Sequence, residues 1–220
     1  MFDKIVEIVA PHHCYSCQKT GVILCDSCIY NIADSAEIAC ITCRAPCLTG
    51  ICSGCSMPFA RAWVVGAREN ELARVIGDFK WFRKYDAHTA LANLLHMTLP
   101  ILPSNTVVVP IPTISRHKRI RGYDHADLIA KKLAKKRKIK KKNLLGRKNH
   151  SVQHTANRSK RHQQAQQAFY CNVNLDPTVP YLIIDDIVTT GATIKAATRV
   201  LKGAGAKEVW VAAIARQPLN

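Results

Sequence analysis

The 220-residue chain is long enough for one good-sized core, or for a medium domain with an appendage, and none of its apolar runs reaches the roughly 18 residues that a membrane-crossing helix needs. Its formal charge of +17 is unevenly spread. Between Arg116 and Arg161, eighteen Lys and Arg stand against only Asp124 and Asp127, a local excess of +16 that points to an anionic partner, either phosphates or a nucleic acid backbone.

The opening MFDKIVEIVA sets Asp3, Lys4 and Glu7 inside its apolar stretch, so it reads as a short amphipathic helix rather than an export signal, and a cytoplasmic location is expected. Ten cysteines in that setting call for something other than disulfides. Nine fall within residues 14–55, and eight of these form four C-x2-C pairs: Cys14 with Cys17, Cys25 with Cys28, Cys40 with Cys43, and Cys52 with Cys55. Each pair can hold one side of a tetrahedral Zn2+, and eight thiolates suffice for two ions. Sequential pairing is the simplest arrangement, and an interleaved cross-brace satisfies the same spacing. Few apolar residues separate Cys14 from Cys55, so the segment is expected to fold with its metal. Cys47 and Cys171 remain as small hydrophobes or exposed thiols. The composition changes near residue 58, predicting a cysteine-rich zinc module with its short N-terminal helix over 1–58 and a second domain over 59–220.

Beyond that boundary, Trp63 to Ala67 reads as a strand. Leu72, Val75, Ile76 and Phe79 then repeat at helical spacing, as do Leu91, Leu94, Leu95 and Leu99. The β-branched run Thr106 to Ile111 predicts a strand, and Asp124 is placed to cap a helix carrying Ala126, Ile129, Ala130 and Leu133. Tyr181 to Ile184 predicts another strand, followed by a Thr/Gly turn and a helix with Ile194, Ala197, Leu201 and Ala204 on one face, ended by Gly203 and Gly205. Glu208 to Ile214 is the last strand. The alternation predicts a doubly wound α/β domain with a mostly parallel sheet.

Asp185 and Asp186 follow Leu182-Ile183-Ile184, where side chains project into the crevice beyond the carboxyl ends of an open sheet. The next residues, Ile187-Val188-Thr189-Thr190-Gly191-Ala192-Thr193, form a small turn whose amides and hydroxyls suit a phosphate at a helix N-terminus. Carboxylates repel phosphate, so their natural partners are ribose hydroxyls or a Mg2+ shared with the sugar and pyrophosphate. The unbroken order in YLIIDDIVTTGAT resembles the fingerprint of type I phosphoribosyltransferases. That resemblance implies that Asp185 and Asp186 hold the ribose hydroxyls of phosphoribosyl pyrophosphate, and that Thr189, Thr190, Gly191, Ala192 and Thr193 hold its 5′-phosphate.

Displacing pyrophosphate requires cations or a metal. Arg116, Lys118, Arg119 and Arg121 follow Val109-Pro110-Ile111-Pro112, and Arg147, Lys148, Gln153, His154, Arg158 and Arg161 lie in a polar stretch before Ala168-Phe169 that has the composition of a hood or lid. Here VPIPTISRHKRIRGYDHADLIAKKLA and RKNHSVQHTANRSKRHQQAQQAF are similar to the ComF family of competence-associated proteins, and the resemblance covers nearly the whole chain. Asp124 and His125 depart from it, standing where that family usually has Asn and Gln. The resemblance implies a competence role in DNA uptake and recombination, with phosphoribosyl pyrophosphate and Mg2+ as ligands and a competence helicase as a candidate partner, while the +16 stretch is what motivates contact with DNA, single-stranded in this reading. The run Lys80, Trp81, Phe82, Arg83, Lys84, Tyr85 offers aromatics that either stack on bases or pack on the adjoining helix. A salvage enzyme joining a nucleobase to the sugar is an alternative, as is a non-catalytic sensor or scaffold. No catalytic base stands out.

Overall fold

The computed structural model describes residues 12–36, 38–82, 84–147 and 168–218. Five parallel strands form the central sheet in the order β1-β7-β6-β2-β3, with β1 at Arg61–Ala67, β2 at Val107–Pro110, β3 at Lys140–Lys141, β6 at Tyr181–Val188 and β7 at Val209–Arg216. Two short antiparallel strands, β4 (Gly146–Arg147) and β5 (Phe169–Tyr170), pair separately. The central strands read as near-continuous aliphatic runs because both faces of a parallel sheet are covered.

The helices are α1 (Asp26–Asp34), α2 (Asn70–Trp81), α3 (Ala87–Thr98), α4 (Ser115–Arg121), α5 (His125–Arg137) and α6 (Ala192–Gly203). On one face of the sheet, the predicted helical stripes Leu72, Val75, Ile76, Phe79, then Leu91, Leu94, Leu95, then Ile129, Leu133 meet Val108, Leu182, Ile184, Ala212 and Ile214. On the other, Ile194, Ala197 and Leu201 of α6 meet Val107, Val109, Ile183, Val211 and Ala213. Alternate residues of one strand thus feed two cores, the period-two geometry of extended backbone. Truncating a fully buried member such as Leu91 to Ala should cost about 2–5 kcal/mol.

The cysteine segment is a structural duplication that wraps the sheet edge at β1. Residues 13–20 and 39–46 form equivalent turns, each closed by an antiparallel bridge, His13 with Thr20 and Ala39 with Pro46. Each places the residue after its second cysteine in the left-handed region, Gln18 at φ 64° and Arg44 at φ 65°. The partner pair in each half begins a helical segment, with Cys25 at the start of α1 and Cys52 preceding the 3-10 turn Ser53–Cys55. The first half contributes Cys14, Ile23, Leu24, Cys25, Cys28 and Ile29 to the core beneath α2 and α3, whereas Ile41, Ile51 and Met57 of the second half join the core beneath α6. No helix of the described residues is long and apolar enough to cross a membrane.

Candidate functional site

The strand predicted to stop at Ile184 continues to Val188, so Asp185 and Asp186 lie within β6, where Asp185 pairs with Ala213 of β7. The ladder therefore fixes the backbone of both acids. Asp186 Oδ2 lies 2.7 Å from Lys80 Nζ, delivered by the last turn of α2, and Asp185 Oδ1 accepts from the Asp186 amide at 2.8 Å. Burial pushes the Asp185 carboxyl up to about 7, and the neighbouring Asp186 charge adds to this against the opposing Lys80 and Arg147 cations. A carboxyl poised near neutrality in a cleft marks a place where a cation or a hydroxyl would be welcome.

Val188 leads into the turn that opens α6. Gly191 precedes the helix at φ 73°, a conformation that side chains with a Cβ rarely adopt, and Thr190 Oγ1 accepts from the Ala192 amide at 3.4 Å. The first amides of α6 have no acceptor within their own helix and carry its positive end, so this turn can receive an anion. A cleft of about 200 Å³ brings Asp185, Asp186 and Thr193 together with Lys80, Arg147 and the loop Ile111–Ile114. A larger recess of about 380 Å³ lies along β1, lined by residues such as Ile38, Leu48, Trp63 and Met97, with no charged side chain. It lacks the groups that the chemistry needs, so the smaller, charged cleft is the candidate.

Asp124 caps α5 by accepting from the Asp127 amide at 3.3 Å and also accepts from Thr113 N at 2.9 Å and Thr113 Oγ1 at 3.1 Å. It shapes the Ile111–Ile114 loop from one side, while Arg147 Nη1 donates to Pro112 O at 3.3 Å from the other. Arg147 also lies over the Phe169 ring, 5.1 Å from its centroid; burial pulls its guanidinium below the usual arginine range, and the Asp185 and Asp124 charges pull the other way. His125 is buried at the cleft wall, edge-on to Phe79 and Tyr123, with Nε2 3.3 Å from Phe79 O.

Of the predicted basic group, Lys118 and Arg119 are exposed on α4 and do not line the cleft; Arg116 and Arg121 are on the same helix. Gln153, Arg158 and Arg161 lie outside the described residues, as do His154, Lys148, Arg83 and the N-terminal segment 1–11. The cleft cations are instead Lys80 and Arg147. Arg147 belonged to the polar stretch noted from sequence, but the role of Lys80 carried no sequence signal, because it depends on how α2 lies across the sheet. The lysine-rich stretch also divides: Lys141 pairs with Asp127, and Arg137 donates to Pro100 O, His96 O and Leu99 O, closing the C-terminal end of α3.

The cysteines form two clusters in sequential order: Cys14, Cys17, Cys25 and Cys28, then Cys40, Cys43, Cys52 and Cys55, with each set of sulfurs within 4.8 Å of one another. Tetrahedral zinc–thiolate bonds of about 2.3 Å put sulfurs about 3.8 Å apart, and the observed Cys17–Cys25 and Cys43–Cys52 separations are 3.6 and 3.4 Å. Both clusters are therefore compatible with a structural zinc ion. Burial raises the Cys14 and Cys40 thiols, but amide hydrogen bonds outweigh it and bring each down to about 6. The Ser16 hydroxyl favours a Cys28 thiolate, yet burial and the other three cysteines push that thiol up to about 12; the Cys55 thiol is also raised, chiefly by Cys43 and Cys52. Four thiolates crowd one another in this way until a dication joins them.

The sequence profile of the phosphoribosyl transferase domain matches residues 122–219. Over 164 residues the chain is 26% identical to Competence protein F of Haemophilus influenzae, an alignment covering 70% of this chain and 71% of that protein. A solved structure described as the allosteric regulatory enzyme of purine biosynthesis superposes with a TM-score of 0.40 and 20% identity, covering 58% of this chain and 26% of that one, so the match spans about a quarter of that enzyme's length.

Proposed function

We propose a function for what is a ComF-like protein, a type I phosphoribosyltransferase-like α/β domain carrying two four-cysteine clusters: it binds phosphoribosyl pyrophosphate with Mg2+, and single-stranded DNA, in the cytoplasm during DNA uptake and recombination. The observation that carries the ligand reading is the convergence in one cleft of the Asp185–Asp186 pair, the turn ahead of α6, and the cations Lys80 and Arg147. In this reading Asp185 and Asp186 hold the ribose hydroxyls, and Thr189 to Thr193 surround the 5′-phosphate. The loop Ile111–Ile114, followed by the basic residues of α4, faces the pyrophosphate. Mg2+ drawn to the acids would free the Lys80 ammonium to turn toward pyrophosphate oxygens. Residues 1–58 act as a metal-held module on the transferase-like unit 59–220.

Two features support the DNA reading. One is the local excess of positive charge between Arg116 and Arg161. The other is the aromatic cluster after Lys80, where Trp81, Phe82 and Tyr85 are 63%, 72% and 49% exposed, Tyr85 also packing against His88 and Tyr123, so that the cluster presents aromatic surface on which bases could stack.

Calorimetric titration with phosphoribosyl pyrophosphate and Mg2+ tests the first part: binding is expected in the wild type and lost in the Asp185→Asn, Asp186→Asn double variant. Wild-type protein that takes up no ligand would refute it. For the DNA part, affinity for a labelled oligonucleotide should fall steeply with salt and weaken in Trp81→Ala, Phe82→Ala. Release of pyrophosphate on screening free nucleobases would shift the reading to a salvage enzyme.

A further inference from the structure

The two cysteine clusters stand in different relations to the cleft. A side-chain carbon placed on Gly191 would lie 2.9 Å from Met57 Cε and 3.5 Å from Thr42 Oγ1, and no other described residue beyond its chain neighbours comes within 4 Å of that position. Both neighbours belong to the second cluster's framework: Thr42 sits between Cys40 and Cys43, and Met57 lies two residues beyond Cys55. The Thr42 hydroxyl is buried without a hydrogen-bond partner among the described residues.

The same framework is tied to the strand ends that carry the turn. Ile41 N donates to Gly50 O at 2.8 Å, Ala62 N donates to Thr49 O at 2.8 Å, and the buried Arg216 donates from Nη1 to Cys40 O at 3.3 Å. Arg216 pairs in register with Val188, and the Gln217 amide donates to Val188 O at 2.7 Å, immediately before the turn. The first cluster reaches α2 instead. The Tyr15 hydroxyl donates to Asp78 Oδ2, Lys84 Nζ lies 2.7 Å from that carboxylate, and Arg74 Nη2 donates to Tyr15 O at 2.7 Å.

Resting on the reading that Thr189 to Thr193 receive a phosphate, we infer that Thr42 and Met57 are positioning residues for that turn, and that metal occupancy of the second cluster is coupled to phosphate binding. A left-handed glycine ahead of a helix has many alternative conformations, and a wall held by four metal–thiolate bonds removes them before the ligand arrives. Metal release would withdraw the wall, so part of the ligand's binding energy would go to ordering the turn. Coupling between sites is reciprocal, so the phosphate ligand must retain the second metal by the same factor.

The test uses the full chain with measured metal content and ribose 5-phosphate as probe. Saturating ribose 5-phosphate should tighten one of the two metals against a competing chelator by about fivefold or more, leaving the other unchanged. In the Thr42→Ala, Met57→Ala variant that protection should vanish and ribose 5-phosphate affinity should fall by a similar factor, with Thr42→Ser restoring most of the threonine's share. If the double variant does not keep its second metal, the chelator competition on wild-type protein decides. Ribose 5-phosphate that fails to bind the wild type would overturn the phosphate reading itself. Ribose 5-phosphate that binds while both metals compete unchanged would overturn the coupling alone.

Discussion

Asp185→Asn should make the ligand-free protein more stable while abolishing ligand binding. The Asp185 carboxyl is raised from 3.8 to about 7, chiefly by burial, so the native state resists its ionisation. A raised acid destabilises the fold by nothing below its unfolded value, increasingly between about pH 4 and 7, and by a constant amount above. At 1.36 kcal/mol per unit, a shift of about three units sets an upper bound of about 4 kcal/mol above pH 7. Asn keeps an oxygen for the Asp186 amide and has no charge to desolvate. Urea unfolding of wild type and variant at pH 6, 7, 8 and 8.5, where the thiolates keep their metal, should show the variant more stable at every pH. The advantage should grow by about 1 kcal/mol from pH 6 to 8 and then level off. A variant less stable than wild type at pH 8, or a difference that does not change with pH, would refute an ionised carboxylate held at a cost in this cleft.

Other substitutions probe the supports of the site. Asp124→Ala removes an N-cap together with both Thr113 contacts and should lower stability by about 1–2 kcal/mol in urea melts, whereas Asp124→Asn, which can still accept those bonds, should stay within about 0.5 kcal/mol of wild type. Arg137→Ala orphans three carbonyls at the end of α3 and should cost about 1–3 kcal/mol, while Lys135→Ala, exposed on the same helix, should cost little. Stripping the metals with a strong chelator should lower the melting temperature and uncover reactive thiols from both clusters, since each brings four thiolates together.

Much of the architecture was legible because its signals are local. Short apolar and β-branched runs located the strands β1, β2, β6 and β7, and helical-period apolar patterns located the helices α2, α3, α5 and α6. The acids and the turn ahead of α6 were legible as a contiguous run. What escaped the sequence depends on long-range placement. Composition cannot separate Arg137, closing another helix, from exposed lysines around it, and two-residue strands such as β4 and β5 are too short to carry a period. Lys80 reads as one member of an aromatic–basic run until α2 is laid across the sheet and sets it against Asp186. The cysteine spacing allowed two pairings, and only the duplicated turns, each beside its own helical segment, choose between them.

The edge strand β1 has a consequence for the order of assembly. Its hydrogen-bonding partner in the sheet is β7, where Arg61 aligns with Trp210, about 150 residues further along the chain. During synthesis the metal-binding turns can close early on their neighbouring residues, yet the strand that follows them emerges with its ladder unmatched and waits for a nearly finished polypeptide. The loop of the second cysteine half, whose Thr49 O accepts from Ala62 N at 2.8 Å, is placed to occupy an outward-facing amide of that strand in the interval, one fewer for a neighbouring nascent chain to pair with.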